Sequence, residues 1–275
     1  MTTSKPSDRA EGAHLLEERL PEELMEAGRG HIVGAVVLAA ALVTVWEAAV
    51  WSLAISSQLL PAPSAIAREL WLSFSIFLRH FLVTAAEVYA GFAIATVVGV
   101  GFAVLVDRSK WLRALIQPYI IGLQATPKIA MAPFLVLWFG FGLSSKIATA
   151  ALITFFPIFI NMLAGFASVN PKVLELMDVL KASRNQTLVK VKIPHAMPYL
   201  FAGLEIGILL SLIGAVVGEF ISSTKGLGYL ILNYNFQLKT DAAFAALAML
   251  IVLGVLSYAI VLWVKKRVVF WLGKA

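Results

Sequence analysis

Six apolar runs, at roughly 32–53, 81–106, 114–139, 147–167, 200–221 and 243–264, restrict what this chain can fold into. Each is close to the ~20 residues that an α-helix needs to cross a ~30 Å hydrocarbon layer. Inside lipid no water satisfies a bare N–H or C=O, so a spanning segment must be a helix or part of a closed barrel. The runs are continuous rather than alternating, which disfavours a barrel. The expected fold is therefore all-α integral membrane, with six transmembrane helices. Composition agrees, since 60% of the 275 residues are hydrophobic and only 14% are charged. A soluble core cannot hide so much apolar surface.

The net charge of +6 would suit nucleic acid, but membrane topology explains it better. Lys and Arg concentrate in the cytoplasmic loops of membrane proteins. With the N-terminus inside, sixteen of the 22 Lys and Arg residues fall in inside segments and five in outside segments (Arg68, Arg79, Lys146, Lys225 and Lys239), while Lys128 falls within a span. Both termini are thus expected in the cytoplasm, and no nucleic-acid partner is expected. Residues 1–31 read as a cytoplasmic arm, 32–53 as the first transmembrane helix, 54–80 as an outer interfacial segment, 81–264 as the core and 265–275 as a basic cytoplasmic tail. Met1 to Arg29 lacks an apolar core and is rich in Glu, unlike a signal peptide. In the outer segment, Ser64 reads as the N-cap of a short interfacial helix, with Ile66, Leu70, Phe74 and Phe77 near helical spacing and Trp71 at headgroup depth. Trp46, Trp51, Trp138 and Trp263 read as membrane anchors. There is no cysteine, and the four His residues show no ligand spacing. No metal site and no catalytic constellation are expected.

Between the fourth and fifth runs lies "VNPKVLELMDVLKASRNQTLVKVKIPHAMP", residues 169–198, which is charged and longer than a turn requires. Asn170 is a favoured N-cap and Pro171 suits the first helical position. Val173, Leu174, Met177 and Leu180 then line one helical face. Ser183 and Gln186 read as a capping box for a second helix, expected to end before Pro194. The joint falls at Lys181–Ala182. The apolar face either docks a partner or packs on the chain's own bundle or the lipid.

The segment resembles the EAA loop of binding-protein-dependent ABC transporter permeases of the type I fold. The family pattern is Glu-Ala-Ala, three residues, Gly, nine residues, then Ile-x-Leu-Pro. Here Glu175-Leu176-Met177 is followed by three residues, Lys181, nine residues and Val191-Lys192-Ile193-Pro194. Spacing, Glu and Pro match; the two Ala and the Gly do not. Lys181 must either take a strained left-handed conformation or form a differently shaped joint. "QATPKIAMAPFLVLWFGFGLSSKI", "FFPIFINMLAGF", "IPHAMPYLFAGLEIGILLSLIGAVVGEF", "GLGYLI" and "LLPAPSAI" resemble the nitrate, taurine and aliphatic-sulfonate branch, and the likeness spans roughly residues 59–271.

The resemblance implies a transport subunit rather than an enzyme, moving a small, anionic solute such as a sulfonate, taurine, nitrate or an organic acid into the cytoplasm. It implies the bacterial inner membrane, a second copy of the chain, two cytoplasmic ATPase subunits, a periplasmic solute-binding protein and surrounding lipid. No cofactor belongs to this chain; ATP and Mg belong to the ATPase, and no Walker-type Gly-Lys-Ser/Thr loop is present. Coupling helices would contact the ATPase through Glu175, Met177, Asp178, Leu180, Lys181, Ser183, Arg184 and Pro194. Polar residues within spans are costly and face interiors, so Lys128, Glu87, Asn161, Glu205 and Glu219 are pathway candidates. Lys128 follows Pro127 in a span broken by Pro127 and Pro133, and would attract an anion or else pair with Glu87 or Glu205. Glu219 would serve an outer gate or simply be solvated at the interface. Asn161 would bond a neighbouring helix, and Glu47 would serve an interhelix or interface contact. The rival is an ion-coupled secondary transporter or channel, which has no reason for a cytoplasmic docking face; a membrane-embedded enzyme lacks any motif.

Overall fold

A computed structural model of the chain describes residues 34–271, and every regular element among them is helical. The expected arm over 1–31 and the end of the basic tail lie outside the described residues. Two compact units are present, one ending at Ala65 and one beginning at Ile66.

In the first unit, α1 (Gly34–Ser52) is long and apolar enough to cross a membrane. Its Glu47 carboxylate accepts bonds from Ser64 N at 3.0 Å, Ser64 Oγ at 2.6 Å and Trp51 Nε1 at 2.7 Å. These bonds correct the expected cap. The next helix, α2 (Pro63–Leu72), begins one residue before Ser64, because proline is at home in a first helical turn. Glu47 then supplies the oxygen that a helix N-terminus requires.

The second unit holds the bundle. α3 (Phe74–Asp107) starts one residue after α2, so the interfacial segment is shorter than expected. The third apolar run is broken, as Pro127 implies. α4 (Lys110–Ala125) ends at Thr126 and Pro127, both extended, and a single 3₁₀ turn over Lys128–Met131 leads into α5 (Ala132–Phe139). Pro127 causes the break by lacking an N–H and driving Thr126 out of the helical region. Pro133 breaks nothing, because it sits in the first turn of α5. α6 (Leu143–Ala167), α7 (Pro171–Val179) and α8 (Arg184–Thr187) follow. A π turn over Leu188–Lys192 joins α8 directly to α9 (Ile193–Ser222), and α10 (Leu227–Phe236) and α11 (Thr240–Val268) complete the order.

The helix after Ser183 therefore does not stop before Pro194, as the sequence suggests. The wider π turn lets Ile193 N–H reach Leu188 O and relieves the clash a proline makes with the preceding turn. Arg184–Ser222 runs as one continuous helix; with α1, α3, α6 and α11, five helices among the described residues are long and apolar enough to span. Lys265, Lys266 and Arg267, read as a tail, instead form the last turn of α11, where cations suit the helix dipole.

α6 is the axis of the unit, packed along α3 on one side and α9 on the other. Small residues permit this approach. A methyl added at Gly214 would lie 2.7 Å from Ala150 Cα, and one at Gly203 would lie 2.9 Å from Pro157 O. Without a hydrophobic drive between helices in lipid, such close backbone packing holds them together. Ile158, Phe159, Met162 and Phe166 of α6 meet Ala95 and Ala103 of α3 and Ala196 and Leu200 of α9 in the core. The α7–α8 loop lies at one end of this bundle, beside the last turn of α3; α10 lies at the other, beside its first turns.

Candidate functional site

The loop end is built from interlocking caps. Asn170 Oδ1 accepts Lys172 N at 2.9 Å and opens α7. Ser183 and Gln186 exchange both bonds of a capping box. Between them Lys181 has φ +51. Its N–H reaches Asp178 O at 2.9 Å and the Ala182 N–H reaches Met177 O at 2.9 Å. This is the paired-bond helix stop that usually has glycine at its left-handed position. Of the two alternatives, Lys181 takes the left-handed one.

Asp107, at the end of α3, fastens the loop to the bundle. Lys192 Nζ lies 2.8 Å from its Oδ2 and Arg113 Nη2 2.6 Å from its Oδ1. Arg108 Nη2 donates to Asn185 Oδ1 at 2.8 Å, and Ser168 Oγ bonds His195 Nε2 at 3.0 Å. Leu174 lies over a cleft beside Asp107, and Met177 is half-buried. The expected apolar face is therefore turned partly inward. The outward apolar residues are Val173, Leu176 and Val179 of α7 and its C-cap Leu180, the last two 78% and 66% exposed. Glu175, Asp178, Ser183 and Arg184 are exposed, and Pro194 lies in the first turn of α9.

At the α4–α5 break, the Lys128 ammonium sits 4.9 Å from the centre of the Phe156 ring. A cleft of about 460 Å³ opens here, lined by Pro127, Lys128, Phe156, Pro157, Ile160 and Leu210, with Ile129 and Ile153 completing the wall. The pairings expected for Lys128 are otherwise: Glu87 pairs with Lys146, and Glu205 with Lys265 at 2.7 Å. Tyr258 adds a long 3.4 Å bond to Glu205, joining α11 to α9. Asn161 does not reach a neighbouring helix; its Nδ2 donates to Pro157 O at 2.8 Å within α6.

The opposite end carries the most buried charges. Glu219 is 1% exposed, not solvated at an interface. Thr84 Oγ1 donates to its carboxylate at 2.7 Å, and the N–H groups of Gly228 and Tyr229 converge on its Oε2. Thr84 Oγ1 also accepts Leu227 N at 2.8 Å, and Gly226 N donates to His80 Nδ1 at 2.9 Å. The first N–H groups of α10, which have no partner within the helix, are thus met by α3 and α9. Gly226 has φ +113, and any Cβ there would collide with the Glu219 carboxylate. Glu87, fully buried on α3, faces Glu219 and forms an ion pair with Lys146 of α6. Lys146 Nζ also donates to Ser223 Oγ at 3.1 Å. An open cleft of about 620 Å³ borders this cluster, with Ser222, Ser223, Lys225 and Phe141 on its walls.

Sequence reasoning missed Lys146, Thr84, Asp107 and Phe156. Lys146 was assigned to a loop because the apolar run starts at 147, yet α6 begins at Leu143. A polar residue one helical turn from Glu87 could have signalled Thr84. Asp107 and Phe156 carry no local signal.

Residues 95–270 match the family described as binding-protein-dependent transport system inner membrane component. The chain belongs to that family. This permease is 34% identical over 232 residues to the riboflavin transport system permease protein RibX of Chloroflexus aurantiacus, covering 84% of this chain and 87% of RibX. It is 29% identical over 238 residues to the putative aliphatic sulfonates transport permease protein SsuC of Bacillus subtilis, covering 86% of each chain. Its fold is similar to that in the inward-facing MetNI methionine ABC transporter, with a TM-score of 0.63 at 18% identity over 71% of this chain and 97% of that one. The permease is a membrane transport component rather than an enzyme, and its described residues form helices without strands.

Proposed function

We propose that this permease moves a small anionic solute into the cytoplasm, driven by a separate ATPase that seats on residues 169–198. A second copy of the chain, two ATPase subunits holding ATP and Mg, and a periplasmic solute-binding protein complete the assembly in the inner membrane. Both termini and the α7–α8 loop face the cytoplasm; the α10 end faces outward, where the solute-binding protein docks. The α4–α5 path, broken at Pro127, completes a sixth crossing.

The observation that carries this reading is the build of the loop. α7 is stopped and capped on both sides of Lys181, presents Leu176, Val179 and Leu180 outward, and is continuous through the π turn with α9. Asp107 and Asn185 tie the same unit to α3. A push on α7 is therefore delivered to two spans at once rather than absorbed in a loose linker. Packed helices respond by switching between discrete arrangements. At the far end the Glu219 and Lys146 contacts join α3, α6, α9 and α10, so the same switch would open or close the outer side.

The test is to co-purify the permease with a candidate ABC ATPase subunit from the same genome, using Leu180→Arg and Glu175→Arg. Burying an unpaired charge in a docking surface is expected to weaken association by roughly tenfold to a hundredfold. Solute-stimulated ATP hydrolysis should fall with it. Unchanged association and unchanged hydrolysis in both variants would sink the coupling reading.

A further inference from the structure

The cleft at the α4–α5 break narrows the solute class. Among the described residues, Lys128 is the only charged one on its lining, and the seven others are Ile, Leu, Phe and Pro side chains. Lys128 enters from the 3₁₀ turn, where the chain has already left the helix at Thr126 and Pro127. Across from it, Pro157, which brings no N–H to the otherwise continuous helix α6, lines the same cavity, so the irregular backbone at 126–131 faces a cleft. Irregular backbone at a span is tolerated where it lines a cavity rather than lipid.

An inorganic or very polar anion fits this lining poorly. It would gain one charge contact but would lose its hydration to apolar walls, and unpaired polar groups are costly there. A volume of about 460 Å³ lies within the range of pockets that take whole organic ligands, and a nitrate ion would fill little of it. The Phe156 ring is nearly buried and already carries the Lys128 ammonium over its face. An organic body placed against Phe156, Ile153, Ile160 and Leu210 would keep its anionic group at that ammonium. We infer that the Lys128–Phe156 cleft is a solute subsite for organic anions that pair a single anionic group with an apolar, flat or branched body. Nitrate and small hydrophilic sulfonates are then poor ligands of this subsite. The inference rests on the reading of the chain as a solute-conducting permease and specifies what it conducts.

The full chain in lipid nanodiscs is titrated calorimetrically with benzenesulfonate, methanesulfonate and sodium nitrate. Saturable binding of benzenesulfonate is expected, with methanesulfonate and nitrate weaker by about tenfold or more. Lys128→Met should weaken benzenesulfonate by about tenfold or more, and Lys128→Arg should retain most of it. Ile160→Asp, a second wall substitution, should abolish binding by facing the anion with a like charge. Binding of nitrate as tight as that of benzenesulfonate would overturn the inference. So would benzenesulfonate binding unchanged by Lys128→Met, which would mean partition into lipid, or no saturable binding at all. The coupling variants above report separately. A chain that binds ATPase normally but fails here keeps the permease reading and loses the subsite; one that loses only the ATPase contact keeps the subsite.

Discussion

The buried charges show how differently single residues could be read. Glu219 and Glu87 stood out in sequence because carboxylates inside spans are expensive and need partners. Their partners did not stand out, because the contacts of Lys146 and Thr84 are made between helices far apart in the chain. The Glu87–Lys146 pair also sets a stability prediction. Removing one member of a buried pair leaves an uncompensated charge, which typically costs about 3–5 kcal/mol, whereas replacing both by apolar side chains is often neutral. Lys146→Met should therefore lower the resistance of the permease to SDS-induced unfolding substantially. The double variant Lys146→Met with Glu87→Leu should recover most of the loss. Equal unfolding of wild type and Lys146→Met would mean that the pair holds nothing together. The same experiment separates the pair from Glu219, whose bonds to α10 are left intact in both variants.

Helix starts in the 169–198 loop were the most legible elements, and one stop rule failed. Asn170, Pro171, Ser183 and Gln186 acted as their capping chemistry implies. Pro194 did not stop its helix, because a π turn cannot be recognised from a proline alone. A related feature ties three places together. Ala54, Lys181 and Leu238, at φ +45, +51 and +57, are the non-glycine residues with positive φ among those described, and each follows a helix. In each case the residue's own N–H reaches back three positions and the next N–H reaches back five, as in Leu238 N to Asn235 O and Lys239 N to Tyr234 O. The chain thus closes α1, α7 and α10 with one motif and uses side-chain-bearing residues where glycine would be cheaper. A left-handed L-residue costs roughly 1–2 kcal/mol, partly offset by the extra backbone entropy that glycine loses on folding. Lys181→Gly should consequently slow hydrogen exchange at the Ala182 amide several-fold. Lys181→Val, β-branched and harder to hold left-handed, should accelerate it. The reverse order would show that the joint is not set by backbone strain, and that the missing family glycine has another cause.

For the whole molecule, the apolar runs foretold the helical membrane class and most of the spanning elements, because their length and continuity answer directly to lipid thickness and backbone satisfaction. They could not foretell how the spans close on one another. That depends on close contacts such as Gly214 against Ala150, which no periodicity encodes. Hydropathy alone joins α4 and α5 into one run; the prolines mark the break, which falls at Pro127 and not at Pro133. Orientation rests on a different property, the uneven spread of Lys and Arg, and is open to a direct test because the chain has no cysteine. Single cysteines at Ser183, in the capping box of α8, and at Thr224, on the link between α9 and α10, fall at opposite ends of the bundle. In intact spheroplasts a membrane-impermeant maleimide should label Thr224→Cys and leave Ser183→Cys untouched until the membrane is opened. Labelling in the opposite order would invert the topology. It would put α7 outside, where no ATPase can reach it, and the coupling role of residues 169–198 would fall with the basic-residue argument that placed them inside.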